Sequence, residues 1–325
     1  MIADDLKGWG QLLATMRDDE SLLARAANMN EWFTPDSIQL AIEAMLPWFE
    51  GNLLTDLRNK YPTVRKARRI GLILAGNLPF VGLHDVLMVL LSGHIAVVKP
   101  SHKDAVLLLR LLERSSPEIQ RRVSIVDRIL PNEVDFLIAT GSNTTARQIE
   151  ASFAGRPKLI RKSRFSVAVL DGNESESALT GLADDVLMYH GLGCRSVASI
   201  LIPNGYDMQP LNAILDRHLP HALAPAWHDV VRFERAKWMM TGARIEPCQR
   251  ILVLHGQTLR PGGIGVLRIV TYSSDAECAF LLAGAESELQ CTVGAHYIPL
   301  GQAQRPRLDD FADGIDTLQS LTGLA

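Results

Sequence analysis

From residue 70 onward, short apolar runs alternate with segments of helical periodicity, and this alternation constrains the fold more than any other feature of the chain. Ile70 to Ala75, Ile95 to Val98, Val123 to Val126, Asp135 to Ala139 and Phe165 to Leu170 read as strands. Phe80 to Leu91, Asp104 to Leu112 and Asn143 to Phe153 read as the helices between them. Parallel neighbours need crossover connections, which helices supply, so the pattern predicts an α/β fold with a doubly wound, Rossmann-like parallel sheet. Ahead of it, Leu12, Leu13 and Met16, then Leu40, Ile42, Met45 and Leu46, recur at helical spacing, so residues 1–60 are expected to be helical, closed by Pro62. Beyond residue 171 the expected order is a helix over Leu179 to Tyr189, a strand over Val197 to Ile202 and helices near 208–218 and 228–240. Strands over Ile251 to Leu254 and Ile264 to Thr271, a helix over Ala276 to Leu282, a strand over Leu289 to Val293 and a last helix over Asp309 to Leu321 follow. A length of 325 residues suits two domains. The boundary is expected near 164–171, dividing the chain into 1–164 and 165–325.

Several classes of function are disfavoured by composition. A formal charge of −3 gives no electrostatic case for nucleic acid, and Arg65-Lys66-Ala67-Arg68-Arg69 reads as solvated surface that could still meet an anion. Cys194, Cys248, Cys278 and Cys291 are scattered without a Cys-x-x-Cys pair, so neither a zinc site nor a disulfide framework is expected. The acidic start Met1-Ile2-Ala3-Asp4-Asp5 has no apolar segment of a secretory signal, and the apolar run from Val86 to Leu91 is too short to cross a bilayer. The expectation is a cytoplasmic protein with no membrane span and no metal.

Three motifs stand where a strand should end and a helix begin, the place at which open α/β sheets take their ligands. Gly76-Asn77-Leu78-Pro79 combines a sharp turn with an amide that could donate to a developing oxyanion; alone it also fits an ordinary turn. Lys99-Pro100-Ser101 could hold a nucleotide's ribose or phosphate, or simply close a strand at the surface. Thr140-Gly141-Ser142-Asn143 suits an anion at a helix N-terminus, and equally plain N-capping. Cys194 follows Gly191-Leu192-Gly193, where the missing side chains of the glycines allow close approach, and a stabilised thiolate there would attack acyl carbon. His190 lies four residues before Cys194, but Gly191 and Gly193 are expected to break the helix between them. No Gly-x-Gly-x-x-Gly follows a strand and no Walker sequence occurs, so a dinucleotide would not be held by the usual fingerprint.

Taken in order, Asn-x-Pro, Lys-Pro-Ser, Thr-Gly-Ser and Gly-x-Gly-Cys resemble the aldehyde dehydrogenase superfamily. Within it the chain is similar to the LuxC-like acyl-CoA reductases related to the fatty-acyl reductase of bacterial luminescence. The residues that carry this are the stretch from Leu74 to Asp85, Ala139 to Arg147, Ile160 to Arg164, Gly191 to Arg195, Gly301 to Gln304 and Asp310 to Thr317. They extend over roughly residues 65–325. The resemblance implies that Cys194 carries the acyl group and that Asn77 with the Cys194 backbone N–H forms the oxyanion hole. It further implies that Lys99 and Ser101 bind the adenosine ribose or its phosphate, and that Gly141 and Ser142 lie near the pyrophosphate. Residues 1–164 would then hold the nicotinamide dinucleotide, and residues 165–325 would carry the nucleophile. Hydrolytic members have a water-activating glutamate in a Glu-Leu-Gly-Gly-Lys-Ser stretch; aligning Lys162-Ser163 with it places Lys158 at that position. Such a site should hydrolyse a thioester poorly and favour exchange with a thiol.

The expected function is NADPH-dependent reduction of an acyl-CoA, or an acyl-protein thioester, to the aldehyde through a thioacyl-cysteine. NADPH is inherited from the family. So is a homo-oligomeric state, and an acyl-activating partner enzyme is compatible. The alternatives are a CoA-acylating aldehyde dehydrogenase working oxidatively and an acyl-transfer subunit without hydride transfer.

Overall fold

The computed structural model describes residues 2–324, which divide into two compact units: residues 2–163 with 306–324, and residues 164–305. The expected division near 164 is where the second unit begins. The last twenty residues, grouped by the sequence reading with the second domain, pack in the first unit instead. The reason is apolar burial: Leu318 and Leu321 are fully enclosed in the first unit's core.

Four helices open the first unit: α1 (Ile2–Arg17), α2 (Glu20–Met29), α3 (Pro35–Met45) and α4 (Leu53–Asn59). Leu6, Trp9 and Leu13 recur on one face of α1 and are all buried, as the 3.6-residue period requires. Thr34 and Ser37 form a reciprocal capping box at the start of α3, with Pro35 in the first turn. The five-stranded sheet that follows is parallel throughout. It contains β1 (Arg69–Ile73), β2 (Ile95–Lys99), β3 (Val123–Ile125), β4 (Phe136–Thr140) and β5 (Lys158–Arg161), in the spatial order β3-β2-β1-β4-β5. The crossover helices are α5 (Leu83–Ser92), α6 (Ala105–Arg114), the short α7 (Pro117–Arg121) and α8 (Asn143–Ser152). Every residue of α5 except His84 is buried, so this helix is apolar on all sides and forms the middle of the core. Gly93 ends it in the left-handed region, φ +93°, which glycine adopts without a Cβ penalty.

The chain order reverses between β1 and β4. Strands β1, β2 and β3 step outward on one side, and β4 and β5 are added on the other. This is the topological switch point, where loops leaving adjacent strands diverge and leave a crevice.

The second unit has its own parallel sheet. Its strands are β6 (Phe165–Val169), β7 (Val197–Pro203), β8 (Leu252–Gly256), β9 (Val266–Tyr272) and β10 (Leu289–Gly294), in the order β10-β6-β7-β9-β8. Helices α9 (Glu176–Leu187), α10 (Gln209–Arg217), α11 (Trp227–Met239) and α12 (Asp275–Ala285) connect the strands.

Three expectations need correction. The helix predicted from Phe80 starts at Leu83, because Leu78 to Val81 form a turn in which Phe80 takes φ +58°. The helix predicted over 309–321 is instead a 3₁₀ turn at Ala312–Gly314 and a short α13 (Thr317–Thr322); Asp313 and Gly314 adopt positive φ and break the run. The helix predicted through Tyr189 ends at Leu187, since Tyr189 and His190 are left-handed. In addition, β5 was not foreseen.

Candidate active site

Within the first unit, the three upstream motifs converge at the carboxyl ends of adjacent strands. Ile73 pairs with Lys99 across β1 and β2, and the Leu74 N–H donates to the Lys99 carbonyl at 3.1 Å. Gly76 lies directly against Ser101: a Cβ on Gly76 would fall 2.3 Å from Ser101 Oγ, so only glycine permits this approach. Asn77 is exposed in the turn that follows. On the other side of the switch point, Thr140 ends β4, Gly141 follows it, and Ser142 caps α8 by accepting the Thr145 N–H at 3.2 Å. Asn77, Lys99, Ser101, Gly141 and Ser142 are thus gathered at one end of one sheet.

One residue that sequence reading missed shapes this region. Asp104, buried ahead of α6, accepts hydrogen bonds from the backbone N–H groups of Phe80 and Val81, and burial raises its carboxyl well above the ordinary range. It fixes the unusual backbone just after Asn77. Lys158, which the resemblance aligns with the hydrolytic glutamate, turns its ammonium onto the carbonyls of Phe153 and Arg156 at 3.0 and 3.3 Å. It supplies no base.

Cys194 belongs to the second unit, in a turn immediately before β7, and it is exposed. The turn is closed by the Ser196 N–H to the Gly193 carbonyl at 3.1 Å, and by the Gly193 N–H to Ser196 Oγ at 3.3 Å. From β6, Ser166 Oγ donates to the Cys194 carbonyl at 3.0 Å and lies 3.0 Å from Cys291 Sγ. The approach to the turn is a left-handed run: Tyr189 (φ 54°), His190 (φ 59°) and Gly191 (φ 67°). Each non-glycine residue in that region costs about 1–2 kcal/mol. Two buried acceptors offset the cost: the Tyr189 N–H donates to His221 Nε2 at 3.0 Å, and the Ala224 N–H to His190 Nε2 at 2.8 Å. Burial, aided by His221, pushes the His190 pKa down to about 3, which keeps the ring a neutral acceptor. His190 therefore holds the fold of the loop, in agreement with the expectation that it does not share a helix face with Cys194.

Beside this turn is a cavity of about 250 Å³, at the amino edge of the second sheet. Gly191, Leu192, Gly193 and Ser196 contribute to its wall, together with Trp227 and Ile264. A largely apolar hollow walled by residues on both sides of Cys194 suits an uncharged chain. Among the described residues, no group of three or more His, Cys, Asp or Glu side chains is arranged to hold a metal ion, and no helix is long and apolar enough to cross a membrane.

Residues 5–225 match the family model of the LuxC acyl-CoA reductases. The chain belongs to the LuxC acyl-CoA reductase family. No curated protein matches the sequence. Among solved structures, the NAD-dependent aldehyde dehydrogenase of Sinorhizobium meliloti superposes with a TM-score of 0.69 at 15% identity, covering 90% of this chain and 69% of that one. Betaine aldehyde dehydrogenase of Staphylococcus aureus, crystallised with a BME-modified cysteine, gives 0.69 at 13% identity over 94% and 72%. Glyceraldehyde-3-phosphate dehydrogenase GapN of Methanocaldococcus jannaschii, complexed with NADP, gives 0.66 at 12% identity over 97% and 82%. At such identities the likeness shows the fold, which for this LuxC-family chain is that of the aldehyde dehydrogenases, and the family is one of acyl-CoA reductases.

Proposed function

We propose that this LuxC-family protein reduces an acyl-CoA, or another acyl thioester, to the aldehyde through a thioester on Cys194, with NADPH as the reductant. The observation that carries the reading is the exposed Cys194 thiol, in a turn after Gly191 and Gly193 whose neighbouring residues, Gly191 to Gly193 and Ser196, wall a largely apolar cavity. As thiolate, Cys194 attacks the substrate carbonyl and CoA leaves as its thiolate, so that one acyl–sulfur bond replaces another. A bound NADPH would then supply a hydride to the enzyme thioester, and collapse of the thiohemiacetal returns the Cys194 thiol and frees the aldehyde. Oxyanion donors, assigned by resemblance to Asn77 and the Cys194 N–H, would each contribute about 3 kcal/mol.

The first unit's own features fit a dinucleotide. Gly76, pressed against Ser101, brings the loops after β1 and β2 together at the switch point, the Lys99 side chain is half-buried at the end of β2, and the α8 N-terminus favours anionic groups. Lys158 in place of the hydrolytic base favours transfer to and from a thiol over loss to water. The choice of NADPH rests on the family resemblance; the similar structures include both an NAD-dependent enzyme and one complexed with NADP. The test is NADPH oxidation across a panel of acyl-CoAs. Cys194→Ala is expected to abolish turnover and to leave nucleotide binding intact, and a fully active Cys194→Ala protein would overturn the reading.

A further inference from the structure

Asp185 is fully buried on α9, yet its carboxylate is spent on backbone outside its own helix. Oδ2 accepts the Gly301 N–H at 2.6 Å and Oδ1 accepts the Ala303 N–H at 2.9 Å. One helical turn earlier, Gly181 lies against the same segment: a Cβ there would sit 2.9 Å from the Leu300 carbonyl oxygen and 3.1 Å from Gly301 Cα. The strap Gly301-Gln302-Ala303-Gln304 is therefore pressed onto α9. Its other side holds the turn around Cys194. The Ala303 carbonyl accepts from Arg195 Nε, and Gln304 Nε2 donates at 3.1 Å to Ser196 Oγ, the atom that also accepts the Gly193 N–H. The residues on both sides of the cysteine are thus tied, through one two-residue stretch, to a single buried carboxylate.

We propose that Asp185 is a positioning residue whose ionised carboxylate clamps the strap against the Cys194 turn, so that loss of its charge loosens the turn and lowers the reactivity of the thiol. The proposal rests on the reading of Cys194 as the nucleophile. Protonation would set an O–H against one of two backbone N–H groups, donor against donor, and replace a charge-assisted bond with none. The clamp titrates in a useful range, because burial raises the Asp185 pKa to about 7. The two N–H donors oppose that rise, Asp184 reinforces it and the Arg195 guanidinium opposes it. His218, following α10, is bonded to Asp184, and His190, on the turn packed at the end of α9, is neutral. Strand β7, also packed on α9, carries no titratable side chain.

The experiment follows alkylation of Cys194 by iodoacetamide in the full chain, without nucleotide, by peptide mass. For the wild type, the logarithm of the rate should move with pH between two parallel lines about tenfold apart, with the step near pH 7; tenfold corresponds to one charge-assisted hydrogen bond. Asp185→Asn should follow the lower line at every pH and show no step. Gln304→Ala, which leaves the carboxylate in place, should lower the rate throughout and retain the step. A wild-type profile in Asp185→Asn, or a wild-type rate in Gln304→Ala, overturns the clamp while leaving the nucleophile intact. A wild type in which Cys194 is never alkylated overturns the nucleophile reading instead.

Discussion

Removing residues 306–325 should prevent the first unit from folding, and the size of the loss can be worked from the contacts of the tail. Leu308, Leu318 and Leu321 are buried in the first unit's core. At about 1.5–3 kcal/mol per fully buried side chain, they contribute roughly 5–9 kcal/mol. Five side chains of the same unit also find their partners in the tail. Trp48 Nε1 donates to the Pro306 carbonyl at 2.8 Å, and the Tyr61 hydroxyl donates to Asp316 at 2.7 Å. His84 and His94 bond the carbonyls of Leu308 and Leu321 at 2.9 and 3.0 Å, and Arg161 Nη2 donates to Thr317 Oγ1 at 2.8 Å. At about 1 kcal/mol net each, these add about 5 kcal/mol. The sum is comparable with the whole stability of a domain, about 5–15 kcal/mol. Urea unfolding followed by tryptophan fluorescence reads this directly, since Trp9 and Trp48 are buried in that unit. The truncated chain should lack the first unit's cooperative transition, and Leu318→Ala alone should cost about 2–5 kcal/mol. A truncated chain that keeps a cooperative transition within about 2 kcal/mol of the full one would refute the account of the tail.

Four further outcomes are expected. Asp85→Ala strands the Arg161 guanidinium, bonded to Asp85 Oδ1 at 2.8 Å with both side chains almost wholly enclosed, and should cost about 3–5 kcal/mol in denaturant titration. Lys99→Ala should weaken NADPH binding by calorimetry about tenfold while leaving acylation of Cys194 intact, the loss expected for one charge-assisted contact; unchanged affinity would make Lys99 a surface residue. Gly76→Val, driven into Ser101, should likewise weaken nucleotide binding without altering Cys194 alkylation. In the second unit, two buried groups oppose each other with pH. Asp185, raised to about 7, favours the folded state at low pH and loses that contribution as pH rises from about 4 to 7. His190, lowered to about 3, contributes stability above about 6.5 that is lost as pH falls toward 3. Relative to wild type, Asp185→Asn should therefore change the stability–pH slope by about +1.4 kcal/mol per pH unit between pH 4 and 6.5, and His190→Asn by about −1.4. Equal slopes in all three proteins would contradict both assignments.

The α/β class and nearly every strand were legible because fully buried parallel strands read as compact apolar runs between helical patterns. Strand β5 escaped because Lys158-Leu159-Ile160-Arg161 is a half-charged edge strand whose burial is only partial. The tail misled for a different reason: Leu318 and Leu321 have helical spacing, but the chain before them is bent by Asp313 and Gly314 into contact with the first unit. Local periodicity holds no record of which unit such a segment joins. The upstream motifs could be placed at strand ends from sequence, and the fold gathers them at one switch point. Asp104, Asp185, Ser166 and His221 could not be found that way. Each acts on backbone or side chains 23 or more positions away, as when Asp185 receives Gly301 and Ala303, and nothing in its neighbouring sequence marks the role.

The measurement that bears most directly on the central claim is the intact mass of the protein after incubation with an acyl-CoA in the absence of NADPH. The wild type should gain one acyl group, removable by hydroxylamine and mapped to the peptide containing Cys194, and Cys194→Ala should gain none. An adduct that persists in Cys194→Ala, or a wild type that never acquires one from any acyl-CoA tried, would contradict the account.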